Sequence, residues 1–243
     1  MKYALVTGGT RGIGKSISKM LVDKGYTVLA NFASDENAAA MFKKELGRDG
    51  ERLLPIRVQL DSYAAAQELK DKILAHTKTL DVLVLNAGAT DRSPYGQVAP
   101  KMWEQVMNVN LNAPFYLVQA LKGNIRDDVG RIIFISSVLG HTAYPHGTSI
   151  SYCVSKTAIH QLARCLVKEY AARKITVNAI APGFVDTEWQ KEKPAAQRQR
   201  VEAKIALGRF AQPEEVAALC GNVIDNPYIN GAILSIDGGY CYM

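Results

Sequence analysis

Short, continuously apolar runs alternate with helical stretches about every 25 residues along this 243-residue chain. The runs are Tyr3–Val6, Thr27–Phe32, Leu53–Gln59, Leu80–Leu85, Arg131–Ile135, Ile175–Ile180 and Ala232–Ile236. A strand that is apolar at every position is covered on both faces, and this happens when helices cross over between parallel strands. The alternation predicts an α/β fold with a doubly wound parallel sheet. With 48% apolar residues, the chain has enough side chains to cover such a sheet. No internal repeat, low-complexity tract or linker breaks the pattern, so residues 1–243 read as one domain.

Bulk properties exclude several roles. The net charge is +6, and the basic residues are scattered rather than gathered in a stripe. That balance suits small anionic ligands and argues against nucleic acid. Cys153, Cys165, Cys220 and Cys241 show no Cys-x-x-Cys spacing and read as reduced thiols. His76, His141, His146 and His160 are isolated from cysteines and carboxylates, so no metal is expected. No apolar run approaches membrane-spanning length, and the opening Met1–Val6 enters a strand at once, without a signal-peptide pattern. A cytoplasmic location is expected.

The first run leads into Thr7-Gly-Gly-Thr-Arg-Gly-Ile-Gly14, and then into a helical pattern at Ile17, Met20 and Leu21. Strand, glycine turn and helix in that order make a phosphate cradle: Gly8, Gly12 and Gly14 admit a pyrophosphate to the helix N-terminus. The spacing is wider than Gly-x-Gly-x-x-Gly, so a purely structural turn is the competing explanation. The second strand ends near Asn31, with a helix from Ser34 whose first turn holds Asp35 and Glu36. Asn86-Ala-Gly88 follows the fourth strand, and a long helix over about 100–125 carries Asn108 and Asn110.

The fifth strand ends in Ser136-Ser137. Alternation along a strand points the two in opposite directions, so only one can face a site. A loop of small residues, Gly140–Thr148, precedes a helix carrying Tyr152 and Lys156 four residues apart, on one face. A phenol titrates near 10, and a fixed ammonium beside it favours the phenolate. Residues 186–210 contain Trp189, Pro194, Lys191, Lys193, Arg198, Arg200 and Lys204. They form either a mobile substrate lid whose basic residues attract a phosphopantetheine, CoA or acidic carrier protein, or a solvated basic helix.

Together these motifs resemble the short-chain dehydrogenase/reductase family over essentially the whole chain. The resemblance implies a Rossmann-like sheet of seven strands and usually a homotetramer. It assigns Thr7–Gly14, including Thr10 and Ile13, to the cofactor turn. Asn86, Ala87 and Gly88 follow as cofactor contacts, although Leu85 stands where the family usually has another Asn. Pro182, Gly183, Val185 and Thr187 lie over the nicotinamide. Ser137 is the catalytic serine, because the motif ends there before Val138. Tyr152 is the proton donor, Lys156 lowers its pKa and holds the nicotinamide ribose, and Asn110 holds a helix irregularity and a proton-relay water.

An enzyme for NAD would place an acid at the end of the second strand to hold the ribose hydroxyl, where this chain has the neutral Asn31. Arg11 occupies the position at which similar enzymes contact a 2′-phosphate, so NADP(H) is expected, with Ser34 also at that phosphate. Asp61 either reaches the adenine or closes a strand-end turn. The string Asn178–Thr187 is most similar to 3-oxoacyl-[acyl-carrier-protein] reductases and acetoacetyl-CoA reductases. Reduction of a 3-oxoacyl thioester by NADPH is therefore expected, with acyl carrier protein as a candidate partner. Arg173 matches one carrier-docking arginine of that branch, but Asp128 replaces the other. The interval from Ser137 to Tyr152 is also longer than in that branch, with the extra residues in Tyr144–Ser149. The alternatives are another carbonyl or secondary alcohol (sugar, steroid or small ketone), or a silent dinucleotide-binding regulator.

Overall fold

A computed structural model describes residues 1–141, 149–191 and 194–241. Seven parallel strands form one sheet: β1 (Lys2–Val6), β2 (Tyr26–Phe32), β3 (Leu53–Arg57), β4 (Val82–Leu85), β5 (Arg131–Ile135), β6 (Thr176–Pro182) and β7 (Ile233–Ile236). Their order is β3-β2-β1-β4-β5-β6-β7. The helices are α1 (Gly12–Asp23), α2 (Glu36–Glu45), α3 (Tyr63–Leu74), α4 (Pro100–Met107), α5 (Ala113–Ala120), α6 (Ile150–Ala171), α7 (Glu188–Lys191), α8 (Ala195–Glu202) and α9 (Pro213–Asp225).

Period-two alternation within apolar strands sends side chains to both faces. Leu5, Leu29 and Leu83 align across the sheet and pack with Leu69 of α3, Leu117 of α5 and Ile159 of α6. Their neighbours Ala4, Val6, Val28, Val82 and Val84 pack on the other face against Ile17 and Leu21 of α1 and Val216 of α9. No helix among the described residues is long and apolar enough to cross a membrane.

Several expected boundaries shift by a residue or two, and two of the changes matter to the site. The third strand stops at Arg57, and Val58–Leu60 continue as extended chain before Ser62 caps α3 by accepting the Ala65 N–H. The expected helix over 100–125 is broken by a π-turn at Asn108–Asn112 between α4 and α5. Pro114 has no N–H to return to the Asn110 carbonyl, so a normal turn cannot close there.

The chain runs outward from β1 to β2 and β3, then returns to the other side of β1 to make β4. Such a reversal leaves a crevice at the carboxyl ends of the strands, where open α/β sheets bind ligands.

Candidate active site

A cleft of about 350 Å³ occupies that crevice. One end is walled by Phe32, Ala33 and Val58–Leu60, the middle by Gly8 and Thr10–Ile13, and the far end by Ser137, Tyr152 and Lys156. Pro182, Gly183, Val185 and Thr187 close the far side. The glycine turn is held from below: Thr7 Oγ1 accepts the N–H groups of Asn86 and Ala87 at 2.9 and 3.0 Å. Asn86 Nδ2 donates back to the Thr7 carbonyl at 3.0 Å. Gly8 has φ +62°, a left-handed conformation that glycine adopts at little cost. A Cβ at Gly14 would lie 2.1 Å from the Gly8 carbonyl oxygen and 2.6 Å from Asn86 Nδ2. Gly14 therefore lets α1 pack onto the turn and does not itself reach the cleft wall.

The first turn of α1 brings Gly12 and Ile13 to the cleft, with Arg11 as N-cap. A helix start has unsatisfied N–H groups and a positive dipole end, which is a place for an anion. Arg11 lies 3.6 Å from Asp35, both being partly exposed. Asp35 is also the N-cap of α2 and accepts the Ala38 N–H at 2.9 Å.

Asn31 reaches the wall, but its amide is engaged: Nδ2 donates to the carbonyls of Val58 at 2.9 Å and Ile56 at 3.3 Å, joining β2 to β3. Besides Gly14, two expected cofactor contacts lie outside the lining. Ser34 is exposed on the loop that leads into α2, and Asp61 falls where the chain turns toward α3. The extended residues Val58–Leu60 take the wall position instead.

At the far end the two serines separate as alternation requires. Ser137 hydrogen-bonds the Tyr152 phenol and accepts the Leu139 N–H at 3.2 Å. The Ser136 hydroxyl instead lies 3.1 Å from the Lys156 carbonyl and 2.7 Å from His160 Nε2. Lys156 is buried, and its Nζ donates to the Ile135 carbonyl at 2.8 Å and lies 5.5 Å from the centre of the Tyr152 ring. Asn110, also buried, accepts the Ala89 N–H at 2.7 Å and donates to the Ala89 carbonyl and Ser155 Oγ, each at 2.9 Å. Ser155 donates to the Tyr152 carbonyl at 2.7 Å, so the π-turn is tied to the tyrosine through two side chains.

The phenol departs from expectation. Burial pushes Tyr152 up to about 12, and the Ser137 hydrogen bond offsets only part of this. Burial also brings Lys156 down to about 8. The same dry surroundings that disfavour a phenolate disfavour the ammonium that was expected to stabilise it. A protonated phenol is the form that can donate a proton.

The short chain dehydrogenase family matches residues 2–198. A 3-oxoacyl-[acyl-carrier-protein] reductase from Aquifex aeolicus is 34% identical, over 98% of this chain and 96% of its own. An acetoacetyl-CoA reductase from Shinella zoogloeoides is 34% identical over 100% and 99%. The chain belongs to the short-chain dehydrogenase family. Among solved structures, a blue fluorescent protein from a metagenomic library, in complex with NADPH, superimposes on this short-chain dehydrogenase with a TM-score of 0.92 at 31% identity, covering 98% of this chain and 97% of its own.

Several lining residues of this short-chain dehydrogenase carry no sequence motif. Gln59 and Leu60 at one end, Gln105 on α4, Val109 in the π-turn, and Glu188 and Gln190 on α7 all reach the cleft. Only the strand-end position of the first pair gave a signal. The basic residues expected to attract a carrier are partly committed elsewhere. Arg198 pairs with Asp186 at 2.9 Å and Glu202 at 3.0 Å, and its guanidinium lies 4.4 Å from the centre of the Phe210 ring. Phe210 and Ile205 are buried with Val138 and Tyr240, which anchors the end of the segment expected as a lid. Arg173 pairs with Asp127 at 2.6 Å and donates to the carbonyls of Lys122 and Ile125. The stretch 142–148 with His146, Lys193, and the side chains of Trp189 and Lys191 lie outside the described residues. Among those described, no three His, Cys, Asp or Glu side chains gather to hold a metal ion.

Proposed function

We propose that this protein reduces a 3-oxoacyl thioester to the 3-hydroxyacyl form with NADPH, and that a coenzyme A thioester suits it better than one on a carrier protein. The observation that carries the reading is the Ser137–Tyr152 hydroxyl pair beside Lys156, at one end of a cleft that opens with a helix N-terminus and a guanidinium. Relatives that reduce 3-oxoacyl thioesters support the substrate class. Arg173 is committed to Asp127, and Lys174 to Asp128, so the charges cancel in pairs and leave no basic patch there to dock an acidic carrier, which favours the smaller thioester.

The residues present fit the dinucleotide. Gly12 and Ile13 would take its pyrophosphate and Arg11 its 2′-phosphate in exchange for Asp35, while Lys156 would hold the nicotinamide ribose. Bound there, the cofactor supplies the hydride. The chain's own part is to hold the ketone oxygen between the hydroxyls of Ser137 and Tyr152. Tyr152 gives up its proton as charge grows on that oxygen, and Ser137 stabilises the oxyanion. Asn110 fixes the backbone beneath Tyr152 through Ser155 and is proposed to support a relay of protons to Lys156. Asn86, Ala87 and Gly88 hold the floor, and Pro182, Gly183, Val185 and Thr187 the cover. A homotetramer is proposed from resemblance.

The test is a panel of acetoacetyl-CoA, an acyl-carrier 3-oxoacyl thioester and free ketones, each with NADPH and NADH, followed at the nicotinamide absorbance. The highest kcat/KM is expected for acetoacetyl-CoA with NADPH. A sugar or small ketone turning over better, or NADH serving as well as NADPH, rejects the proposal.

A pH dependence follows. Tyr152 stays protonated across the working range, because its pKa is pushed up to about 12, whereas Lys156 loses its proton as pH rises through about 8. For reduction, kcat/KM is expected to be level below about pH 7 and to decline above about 8, toward tenfold per unit. A profile still level at about pH 9.5 contradicts the assignment of Lys156.

A further inference from the structure

His160 is buried one turn beyond Lys156 and takes no part in the chemistry above. Its Nε2 lies 2.7 Å from Ser136 Oγ, its ring also hydrogen-bonds the Gly140 carbonyl, and it stacks on His141 with centroids 4.3 Å apart. Gly140 packs so closely that a Cβ there would meet the His160 ring at 2.8 Å and the Lys156 backbone at 2.9 Å. The imidazole therefore joins three segments: the end of β5, the turn that follows it, and α6. Ser137, which must meet the Tyr152 phenol, lies between the two points that His160 holds.

We propose that His160 is a positioning residue for the reduction, setting the distance between the Ser137 and Tyr152 hydroxyls by fixing Ser136 and Gly140 to the helix that bears Tyr152 and Lys156. The inference rests on the carbonyl-reductase reading of that site. Two hydroxyls that must close on one oxygen tolerate little misplacement, since an error near 1 Å can cost about a hundredfold in rate. Ser136 Oγ also reaches the Lys156 carbonyl at 3.1 Å, and Thr157 Oγ1 donates to the Gly140 carbonyl at 3.1 Å, but only the imidazole touches the strand end and the turn together. The ring works as a neutral group. Burial first, then the nearby His141, Arg164 and Lys156, keep it down at about 4 against the opposing pull of Gly140, so it adds no second cation beside Lys156.

His160→Leu is expected to lower kcat about tenfold with the best carbonyl substrate, leave the KM for NADPH within about twofold, and shift the alkaline limb of the pH profile by about 0.5 unit. His160→Gln, which restores a polar nitrogen, should recover most of the rate. A merely structural residue would change the melting temperature and leave the limb in place. Ser136→Ala cuts the same link from the other side and carries the same expectation should His160→Leu not fold. Combined with a folded His160→Leu it should cost less than the two effects added. A folded His160→Leu with unchanged kcat and limb, a Gln variant no better than Leu, or strict additivity overturns the proposal. A wild-type protein that reduces no carbonyl in the panel instead sinks the functional reading beneath it.

Discussion

Tyr152→Phe is expected to lower kcat for carbonyl reduction by about a thousandfold, within the range that a positioned general acid contributes. The change removes one oxygen. The ring remains against α6, and Lys156 keeps its bond to the Ile135 carbonyl, which does not involve the phenol. Ser137 loses its partner but retains the Leu139 N–H, so the strand end stays ordered. NADPH affinity, read by fluorescence quenching or calorimetry, should stay within about threefold, because the phosphate half of the cleft is built from α1 and the glycine turn. Loss of rate with retained binding separates a proton donor from a structural tyrosine. Unchanged turnover would remove Tyr152 from the mechanism, and equal loss of binding would make it a scaffold residue.

The second large effect lies at Gly14. A methyl there would meet the Gly8 carbonyl oxygen at 2.1 Å and the Asn86 amide at 2.6 Å, and the first of these is backbone. Neither can retreat cheaply. Gly8 is fixed in a left-handed turn, and Asn86 is held by three bonds to Thr7 and Gly8. Overpacking of this kind costs about 1–3 kcal/mol where the neighbours can yield. Gly14→Ala should reach the upper end of that range in chemical denaturation. To relieve the contact, α1 must move away from the turn, and its N-terminus with it. Dinucleotide affinity is expected to fall about a hundredfold, equivalent to about 2.7 kcal/mol. A Gly14→Ala protein that binds NADPH as tightly as the wild type would show that the turn does not set the phosphate site.

The sheet was legible because its signal is repeated: seven apolar runs each announce a buried strand, and parallel order follows from the helices between them. The glycine turn after β1, Asn86–Gly88 after β4, Ser137 after β5 and the Tyr152–Lys156 face of α6 meet at one cleft, a grouping that the motifs announced. What the sequence left open is equally physical. Ser34 and Asp61 depend on where a strand stops and how far the extended chain runs on, and apolar periodicity does not mark that point. The π-turn at Asn108–Asn112 falls where the resemblance put a helix irregularity at Asn110, and Pro114, which removes a helical donor, is its physical cue. Arg173 and Arg198 read as free cations because their partners, Asp127 and Asp186, become neighbours only through the fold. The direction of the Tyr152 shift also needs three dimensions. A sequence shows that a lysine is close, but not how far burial shifts each group.

The reversal of strand order beside β1 leaves the cleft belonging to two halves of the sheet, with Val58–Leu60 beyond β3 on one side and Ser137 beyond β5 on the other. Neither half alone can grip a molecule that lies across both. A dinucleotide bound there acts as a tie bar, and each molecule held raises the cost of opening any strand between its ends. At a hundred times its dissociation constant it would add about 2.7 kcal/mol to the whole assembly. Resistance to heat and to proteases should then follow the cofactor supply as closely as activity does.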